Sequence, residues 1–530
     1  MRHGAPDTTH DSRTTLIMTH SRTHYDVVVA GAGPIGLLLA ANLKRLGLRV
    51  AVVEKRATRS TQSKASSMNA YSLAILHALG VAPRFLAAGK PIEELVLYWN
   101  ERRLVRVNYR NLPSRYRYIL GLSQPETEQL LEEYFVELGG DLLRSTELLG
   151  FTETEDAVLL ETSPGRSLSC RYLVGCDGGK STVRTLLGLD FDGVDHGVGF
   201  IMFDSRIEWD GDLDQVHYFV KEGSFLIVIP QATGTHRIII KTRDGEIVKE
   251  DEPGKAVAYQ ALVDKYGPPG IRVEAVLWES KTQYYNRLAD RYDHGRVFLA
   301  GDACHLFSSI GGLGMNTGFQ DAFGLGWRLA GVIKGRLSMR VLESYTEERR
   351  GITEQLIAST DINTRLITRL DKGEHGPLRD WLPTMRNRPR IAHGFPYNFS
   401  GLGQRYASGL MLAGGGLVGK LVPYTEFLAG DTRISSYDLI DSEHFVLLTS
   451  GNSSRAIEAR LSSSQLVKVV AIDRTAANLC ALDRLELTGQ HALLVRPDGI
   501  VCVQDVVTNE AAFASFVDEV SLETETSRCA

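Results

Sequence analysis

The apolar positions of this chain fall into three patterns: short unbroken runs ended by glycine, helical stretches, and a central block of alternation. Asp26-Val27-Val28-Val29-Ala30 is apolar at every position after the first, which predicts a buried parallel strand. Gly31-Ala32-Gly33-Pro34-Ile35-Gly36 ends that run, and an Ala/Leu-rich helix is predicted to about Leu46. A second buried strand over 48–53 ends in Glu54. Helical spacing returns over 70–79 and 125–138. Another strand, 171–175, is closed by Cys176-Asp177-Gly178-Gly179 and leads into a helix start at Ser181. Between Gly193 and Tyr284 the pattern changes to strands, several with alternation, over 199–207, 215–220, 224–230, 236–242 and 273–284. The run 296–300 reads as one more buried strand, ended by Gly301-Asp302. A loop carrying Gly311, Gly312, Gly314 and Gly318 then runs into the helical pattern 319–330, and a further helix closes near Leu370. The last third holds strands at 444–449, 465–471 and 492–495, the turn Arg496-Pro497-Asp498-Gly499 and a strand after it.

A chain of 530 residues is too long for one core, and the changes of pattern divide it. Residues 1–24 are polar and are expected to form a disordered leader, in which Met18 is an alternative start. One α/β unit spans 25–192 and 285–370, interrupted by an antiparallel β-sheet unit at 193–284. A linker rich in Pro, Arg and Gly covers 371–394, and a last domain covers 395–530. The apolar stretch from Val27 to Leu43 is broken by Gly31, Gly33, Pro34 and Gly36 and falls short of the ~20 residues needed to span a bilayer. The expectation is a cytoplasmic protein without a membrane segment. A net charge of −5 leaves no electrostatic footprint for nucleic acid. Six cysteines without a CxxC pair or a metal-ligand spacing fit a reducing compartment and no metal site.

The chemistry concentrates at the glycine turns. Gly31, Gly33 and Gly36 form GxGxxG between a strand and a helix: one glycine for the tight turn, one for close approach to a pyrophosphate, one for helix–sheet packing. Glu54, about 20 residues on, ends the next strand where an acid bonds ribose hydroxyls, so a dinucleotide site is predicted. Asp302 leaves the sheet at a fixed place, ahead of a glycine loop and a helix whose free N–H groups point back at that loop. That combination suits a flat, electron-rich cofactor. Asp302, Cys304 and His305 do not make a metal site, because neighbouring residues at a strand end diverge.

GDACH followed by GGLGMNTGFQDA resembles the second flavin motif of the FAD-dependent aromatic hydroxylases, the class A flavoprotein monooxygenases that include phenol and p-hydroxybenzoate hydroxylases. The resemblance implies FAD, with Asp302 on the ribityl chain and the Gly312, Gly314, Met315 and Asn316 loop meeting the isoalloxazine ring. It assigns Lys55 and Lys64 to cofactor contacts, Lys64 standing where the family carries Arg before Ala. It places Gln124 on the flavin chain, and Asp177-Gly178 on the FAD diphosphate and the transient NAD(P)H. Ser344 to Arg350 resembles the family's Tyr-x-x-Glu-Arg end, and Val495 to Gly499 the end of its thioredoxin-like C-terminal domain. Cys480 stands alone in that domain, so its expected role is structural or in dimerisation, and the chain is a monomer or homodimer. The implied fold class is α/β: a Rossmann-like FAD-binding domain with an inserted antiparallel β-sheet substrate domain and a thioredoxin-like C-terminal domain.

The activity implied is an NAD(P)H-consuming monooxygenase that passes one atom of O₂, through a flavin C4a-hydroperoxide, to an aromatic small molecule of phenolic or polyketide type. No residue is identified as a catalytic base or nucleophile. Two alternatives stay open: Baeyer–Villiger oxygenation of a polycyclic substrate, and a flavin-binding protein without hydroxylase activity. A flavin halogenase is disfavoured because its Trp-x-Trp-x-Ile-Pro element is absent. Ser308-Ser309-Ile310 stands where the family carries prolines, which predicts a wetter and more polar oxygen site.

Overall fold

The computed structural model describes residues 23–522 except 62, 64, 100–101, 222–223, 242–254, 308–311, 370–395, 398, 413–415, 451–464, 489–490 and 507–508. Most of the expected leader, the expected linker, Lys64 and the Ser308-Ser309-Ile310 segment therefore lie outside the described residues.

In chain order, β1 (Thr23–Ala30), α1 (Pro34–Arg45), β2 (Val50–Glu54), β3 (Ser67–Met68), α2 (Ala70–Ala78), α3 (Ala82–Ala88) and β4 (Lys90–Ile92) lead to a hairpin, β5 (Glu94–Trp99) and β6 (Arg102–Asn108). There follow β7 (Ile119–Gly121), α4 (Gln124–Glu137), β8 (Asp141–Arg144), β9 (Glu147–Glu153), β10 (Val158–Ser163), β11 (Leu168–Gly175) and α5 (Thr182–Leu186). The central block is β12 (Phe191–Glu208), β13 (Val216–Lys221), β14 (Ser224–Pro230), β15 (His236–Lys241), α6 (Lys255–Tyr266) and β16 (Arg272–Ala289). After β17 (Asp293–His294), β18 (Val297–Leu299) and β19 (His305–Leu306) come α7 (Leu313–Ile333) and α8 (Arg340–Arg369). The C-terminal part holds β20 (Glu426–Ala429), β21 (Thr432–Ser435), β22 (Phe445–Ser450), β23 (Val467–Ile472), α9 (Leu479–Arg484), β24 (His491–Val495), β25 (Val501–Val506) and α10 (Glu510–Val520). Among the described residues no helix is long and apolar enough to cross a membrane.

The first sheet runs β17-β18-β11-β1-β2-β8 and is parallel from β18 to β8. Its central strands are apolar because α1 packs on β1 and β2, with α7 behind α1, and Val27, Val28 and Val29 are fully buried. The registers Ala30↔Val53, Ala30↔Gly175 and Gly175↔Leu299 put the carboxyl ends of β2, β1, β11 and β18 in one row. The turns after these strands therefore leave the sheet along a single edge, where ligands bind in open α/β sheets.

The second sheet runs β19-β16-β12-β15-β14-β13-β5-β6. Alternation sorts its faces: Phe200, Met202, Phe225, Ile227 and Ile239 join the core of the first domain, whereas Ile201, Phe203, Leu226, Val228 and Ile240 pack with Tyr259 and Val263 of α6. The expected insert at 193–284 proves to be the middle of a larger sheet. β12 and β16 stay paired from Phe191↔Ala289 to Glu208↔Arg272, and the hairpin β5–β6 joins through a parallel pairing, Val216↔Leu95.

In the C-terminal domain the sheet β23-β22-β24-β25 has one parallel pair, β22 with β23, and antiparallel pairs beyond, a thioredoxin-like order. This domain is joined to the first by a buried charge cluster. Arg496 Nη1 donates to both oxygens of Glu348 on α8 at 2.8 and 2.9 Å, and Arg496 Nη2 donates to Asp498 Oδ2 at 2.8 Å. From α7, Arg328 Nη2 donates to Glu348 Oε2 at 2.7 Å and Trp327 Nε1 donates to Asp498 Oδ2 at 3.1 Å. Two guanidinium groups thus face two carboxylates, with the Leu410 N–H donating to Glu348 as well at 2.7 Å.

Candidate active site

The turns after β1, β11 and β18 each carry a glycine at positive φ, Gly31, Gly178 and Gly301, a conformation other residues do not adopt cheaply. Gly31 has φ +106°, and a Cβ there would lie 2.5 Å from the Cys176 carbonyl oxygen and 3.1 Å from the Cα of Asp177. The first glycine turn and the Asp177-Gly178 turn are therefore in contact, backbone to backbone. Gly36 lies equally close to its own turn, where a Cβ would stand 2.1 Å from the Gly31 oxygen. By contrast a Cβ at Gly33, Gly178 or Gly314 would meet nothing within 4 Å, so these three backbones face open space. Neither α1, which starts after Gly33, nor α7, which starts after Gly312, carries an acid in its first turn. Both helix starts thus keep the positive end of the backbone dipole for an anionic or electron-rich group.

Glu54 closes the first turn: its Oε2 accepts from the Ala32 N–H at 2.9 Å and its Oε1 from the Arg56 N–H at 3.0 Å. Lys55 beside it is exposed. Asp177 is committed more locally than expected. Its Oδ1 accepts from the Ser181 hydroxyl at 2.5 Å and its Oδ2 from the Val183 N–H at 3.1 Å, so the carboxylate caps α5 and the turn offers backbone at Gly178.

Asp302 stands on a single 3₁₀ turn, Gly301–Ala303, and Gly301 packs against Ile35 of α1 and Gly318 of α7. The side chain of Asn316 is consumed in joining α7 to α2: its Oδ1 accepts from the Asn69 N–H at 2.9 Å and the Ser72 hydroxyl at 2.6 Å, and its Nδ2 donates to the Gly312 oxygen at 2.7 Å. This lock leaves the first-turn backbone of α7, Leu313 to Met315, as the part that can meet a ligand. Gln124 starts α4 and is tied to Ala65 in both directions, its N–H donating at 3.0 Å and its Oε1 accepting from the Ala65 N–H at 3.3 Å. The structure thus brings the turns at Gly31–Gly36, Glu54, Asp177-Gly178, Asp302 and Gly312–Asn316 to one edge, with Gln124 held against the segment between β2 and β3.

Three features escaped the sequence reading. Behind the Gly301-Asp302 turn, Asp321 Oδ2 accepts from the Gly301 N–H at 3.1 Å and faces His305 Nε2 at 2.6 Å, while its Oδ1 accepts from Arg349 Nε at 2.7 Å. Burial raises the Asp321 carboxyl, but His305 and Arg349 outweigh it and hold it at about 2. On the inner face of the second sheet, Asp204 and Arg237 form a buried bidentate pair at 2.6 and 2.8 Å, with Arg237 stacked 4.5 Å from the Trp278 ring. Arg237 Nη1 also donates to the Ser63 oxygen at 2.7 Å, which ties the sheet to the loop after β2. The third is Glu128, one helical turn after Gln124 and 3% exposed. Spacing of i,i+4 on one helix face was its only sequence signal.

Residues 24–360 match the model of the FAD binding domain family, and residues 415–520 match that of the aromatic-ring hydroxylase C-terminal family. The 12-dehydrotetracycline 5-monooxygenase/anhydrotetracycline 6-monooxygenase of Streptomyces rimosus is 31% identical over 492 residues, covering 90% of this chain and 95% of the relative. Among solved structures, the anhydrotetracycline hydroxylase OxyS from Streptomyces rimosus superposes with TM-score 0.79 at 29% identity, over 94% of this chain and all of that one. The Diels-Alderase PyrE3 of pyrroindomycin biosynthesis has TM-score 0.75 at 25% identity, over 94% and 99% of the two chains. With the FAD-domain match spanning well over half its length and a monooxygenase relative aligned nearly end to end, the chain belongs to the FAD-dependent aromatic-ring hydroxylases, a family of flavoprotein monooxygenases.

Proposed function

We propose that this monooxygenase uses NAD(P)H and O₂ to hydroxylate an aromatic polyketide or related phenolic small molecule. The observation that carries the proposal is the meeting of three glycine turns on one sheet edge, beside the apolar inner face of the second sheet. The residues present fit FAD: open backbone at Gly33, Gly178 and Gly314, acid-free helix starts and an acid at the end of β2 are the donor set of a dinucleotide site. In this assignment Glu54 and the backbone of Gly31 to Gly36 hold the adenosine and diphosphate half. Gly178 and Gln124 serve the middle, and Asp302 with the backbone of Gly312 to Met315 holds the flavin half. When bound, FAD supplies the redox chemistry, taking hydride from NAD(P)H and activating O₂.

The chain's own residues bind, orient and exclude water. Phe200, Met202, Phe225, Ile227 and Ile239 supply an apolar wall for a fused-ring substrate, and the Asp204–Arg237 pair supplies polarity at one end of it. The reaction consumes one NAD(P)H, one proton and one O₂ and returns NAD(P)⁺, water and the hydroxylated ring. The corresponding division of labour is an FAD-binding domain at 25–192 and 285–370, a substrate sheet built around 193–284, and a structural domain over 395–530.

Purified protein is expected to be yellow, to oxidise NAD(P)H faster with tetracycline-type or other fused phenolic substrates, and to incorporate one atom from ¹⁸O₂ into product. A colourless protein that takes up no FAD overturns the assignment. A yellow protein without NAD(P)H turnover for any substrate of this class favours a non-oxygenase role on the same fold, the Diels-Alderase PyrE3 being a protein of this architecture named for a different reaction.

A further inference from the structure

We infer that Glu128 is a positioning residue for the cofactor: it accepts from the Gln124 amide nitrogen and helps to hold that amide in one orientation. The inference rests on the reading of this edge as an FAD site. Of the five glutamates on α4, Glu133 and Glu137 are exposed and Glu126 and Glu132 are half-buried, but Glu128 faces inward with 3% of its surface accessible. A buried carboxyl on a helix with solvent-facing positions to spare calls for a partner that uses it. Gln124 is that partner, its Nε2 donating to Glu128 Oε1 at 2.8 Å. At the other end of the same amide the Ala65 N–H is only a donor, so the Gln124 oxygen must face it and the Gln124 nitrogen must find an acceptor. Glu128 supplies that acceptor, so the contacts at the two ends of the amide act together to hold one orientation.

The surroundings decide the charge state. Burial raises the Glu128 acid and Glu54 adds to the rise; together they outweigh the Gln124 hydrogen bond and the charges of Arg56 and Arg144, and the net is about 7. Gln124 belongs to α4 itself, Glu54 and Arg56 lie at and just beyond the end of β2, and Arg144 lies on β8, while α1 and α3 also pack against α4. Arg144 donates to Glu132 at 2.6 Å, with Arg59 3.7 Å from the same oxygen, so Arg144 is already neutralised elsewhere. An FAD diphosphate brought to this edge adds negative charge and raises the Glu128 acid further. Binding therefore takes up a proton. A ligand that raises an acid's pKa binds most tightly where the acid is already protonated, so affinity holds below about pH 7 and declines above it. The decline is at most ~tenfold per pH unit, and it ends where the bound form itself ionises.

The test uses the full-length protein, reversibly stripped of flavin, with FAD as the probe. The FAD dissociation constant is measured by flavin fluorescence from about pH 6 to about pH 8.5, and proton release or uptake by an indicator dye in weak buffer. Wild type is expected to weaken several-fold across the range and to take up protons on binding. Glu128→Gln keeps the acceptor and a neutral side chain, so it should bind as wild type does near pH 6, with a flat profile and no proton uptake. Glu128→Leu should bind ~tenfold or more weakly throughout, as one charge-independent contact is lost. A wild-type profile as flat as that of Glu128→Gln, or a Glu128→Gln profile that still declines, overturns the inference while the FAD reading stands. Wild type that takes up no FAD at any pH overturns both. Should Glu128→Leu not fold, the comparison of wild type with Glu128→Gln decides alone.

Discussion

Replacing Arg496 by methionine removes one of two cations from a cluster of four buried charges. Methionine has similar bulk and no charge, so the perturbation is chiefly electrostatic. Glu348 loses two of its four hydrogen bonds, and Asp498 loses the donors at 2.8 and 3.1 Å. Arg328 is left to face two carboxylates, 2.7 Å from one and 3.7 Å from the other. Burial raises both acids, but the two arginines dominate and hold Glu348 and Asp498 below their ordinary values in the intact cluster. Breaking a buried pair from one side costs about 3–5 kcal/mol, because the remaining charge stays desolvated and uncompensated. Against a total stability of about 5–15 kcal/mol that is about a fifth of the whole or more. For a chain of 530 residues the entropy of unfolding is on the order of 1 kcal/mol/K, so the midpoint of thermal unfolding should fall by roughly 3–5 °C. The double variant Arg496→Met/Glu348→Gln restores neutrality, one arginine to one aspartate, and should regain part of the loss, about 1–3 kcal/mol of coupling. Thermal scans of the three proteins at fixed FAD concentration measure both quantities. An Arg496→Met midpoint within ~2 °C of wild type, or a double variant no more stable than Arg496→Met, would refute this account of the cluster.

Glu54→Ala removes the acceptor of two backbone N–H groups as well as a proposed ribose contact, so FAD affinity should fall by roughly tenfold or more, about 1.5–3 kcal/mol, and flavin content after gel filtration with it. Asp302→Ala should weaken FAD retention by a similar factor with an unchanged circular dichroism spectrum; full flavin occupancy in that variant would remove the assigned role. Gly31→Ala places a methyl 2.5 Å from the Cys176 oxygen at a positive φ and should give a colourless protein or none that is folded, a result read directly from the visible spectrum of the purified variant. Asp321 has a folded pKa of about 2, below the unfolded value near 4, so its contribution of about 2–3 kcal/mol is fully present above pH ~5 and is lost as the pH falls towards 2. Acid titration of wild type and Asp321→Asn should show the wild type losing its advantage over that interval, and parallel curves would contradict the pairing.

How much was legible in the sequence depends on how far apart the interacting residues lie. The glycine turns could be read because each is local: a run of apolar residues, a glycine needing positive φ, and a helix within a few positions. Glu54 followed from spacing alone. Asp177 was read on the turn between a strand and a helix start, but its capping of α5 depends on where Ser181 and Val183 sit in three dimensions. Glu128 was hidden among glutamates that mark a solvated helix, and only its burial on the inward face of α4 separates it from them. The β5–β6 hairpin was missed because its partner, β13, lies far along the chain, and no periodicity in Glu94–Asn108 names a parallel neighbour. The inner end of β12 was cut at Gly193 for a related reason. The alternation weakens there, yet pairing with β16 continues, and a Cβ at Gly193 would lie 1.8 Å from the Asn286 oxygen.

Glu348 and the arginine that meets it are 148 residues apart. A ribosome adds about 5–20 residues per second, so roughly 7–30 seconds pass between synthesis of the acid and of its counter-ion. During that interval the nascent FAD domain carries an acid that its own residues, with Arg328 alone, only partly neutralise. Until the last sheet is made, α8 is held to the first domain through Tyr345, Arg349 and the Arg328–Glu348 pair, and the arrival of Arg496 completes the neutralisation of an acid already in place.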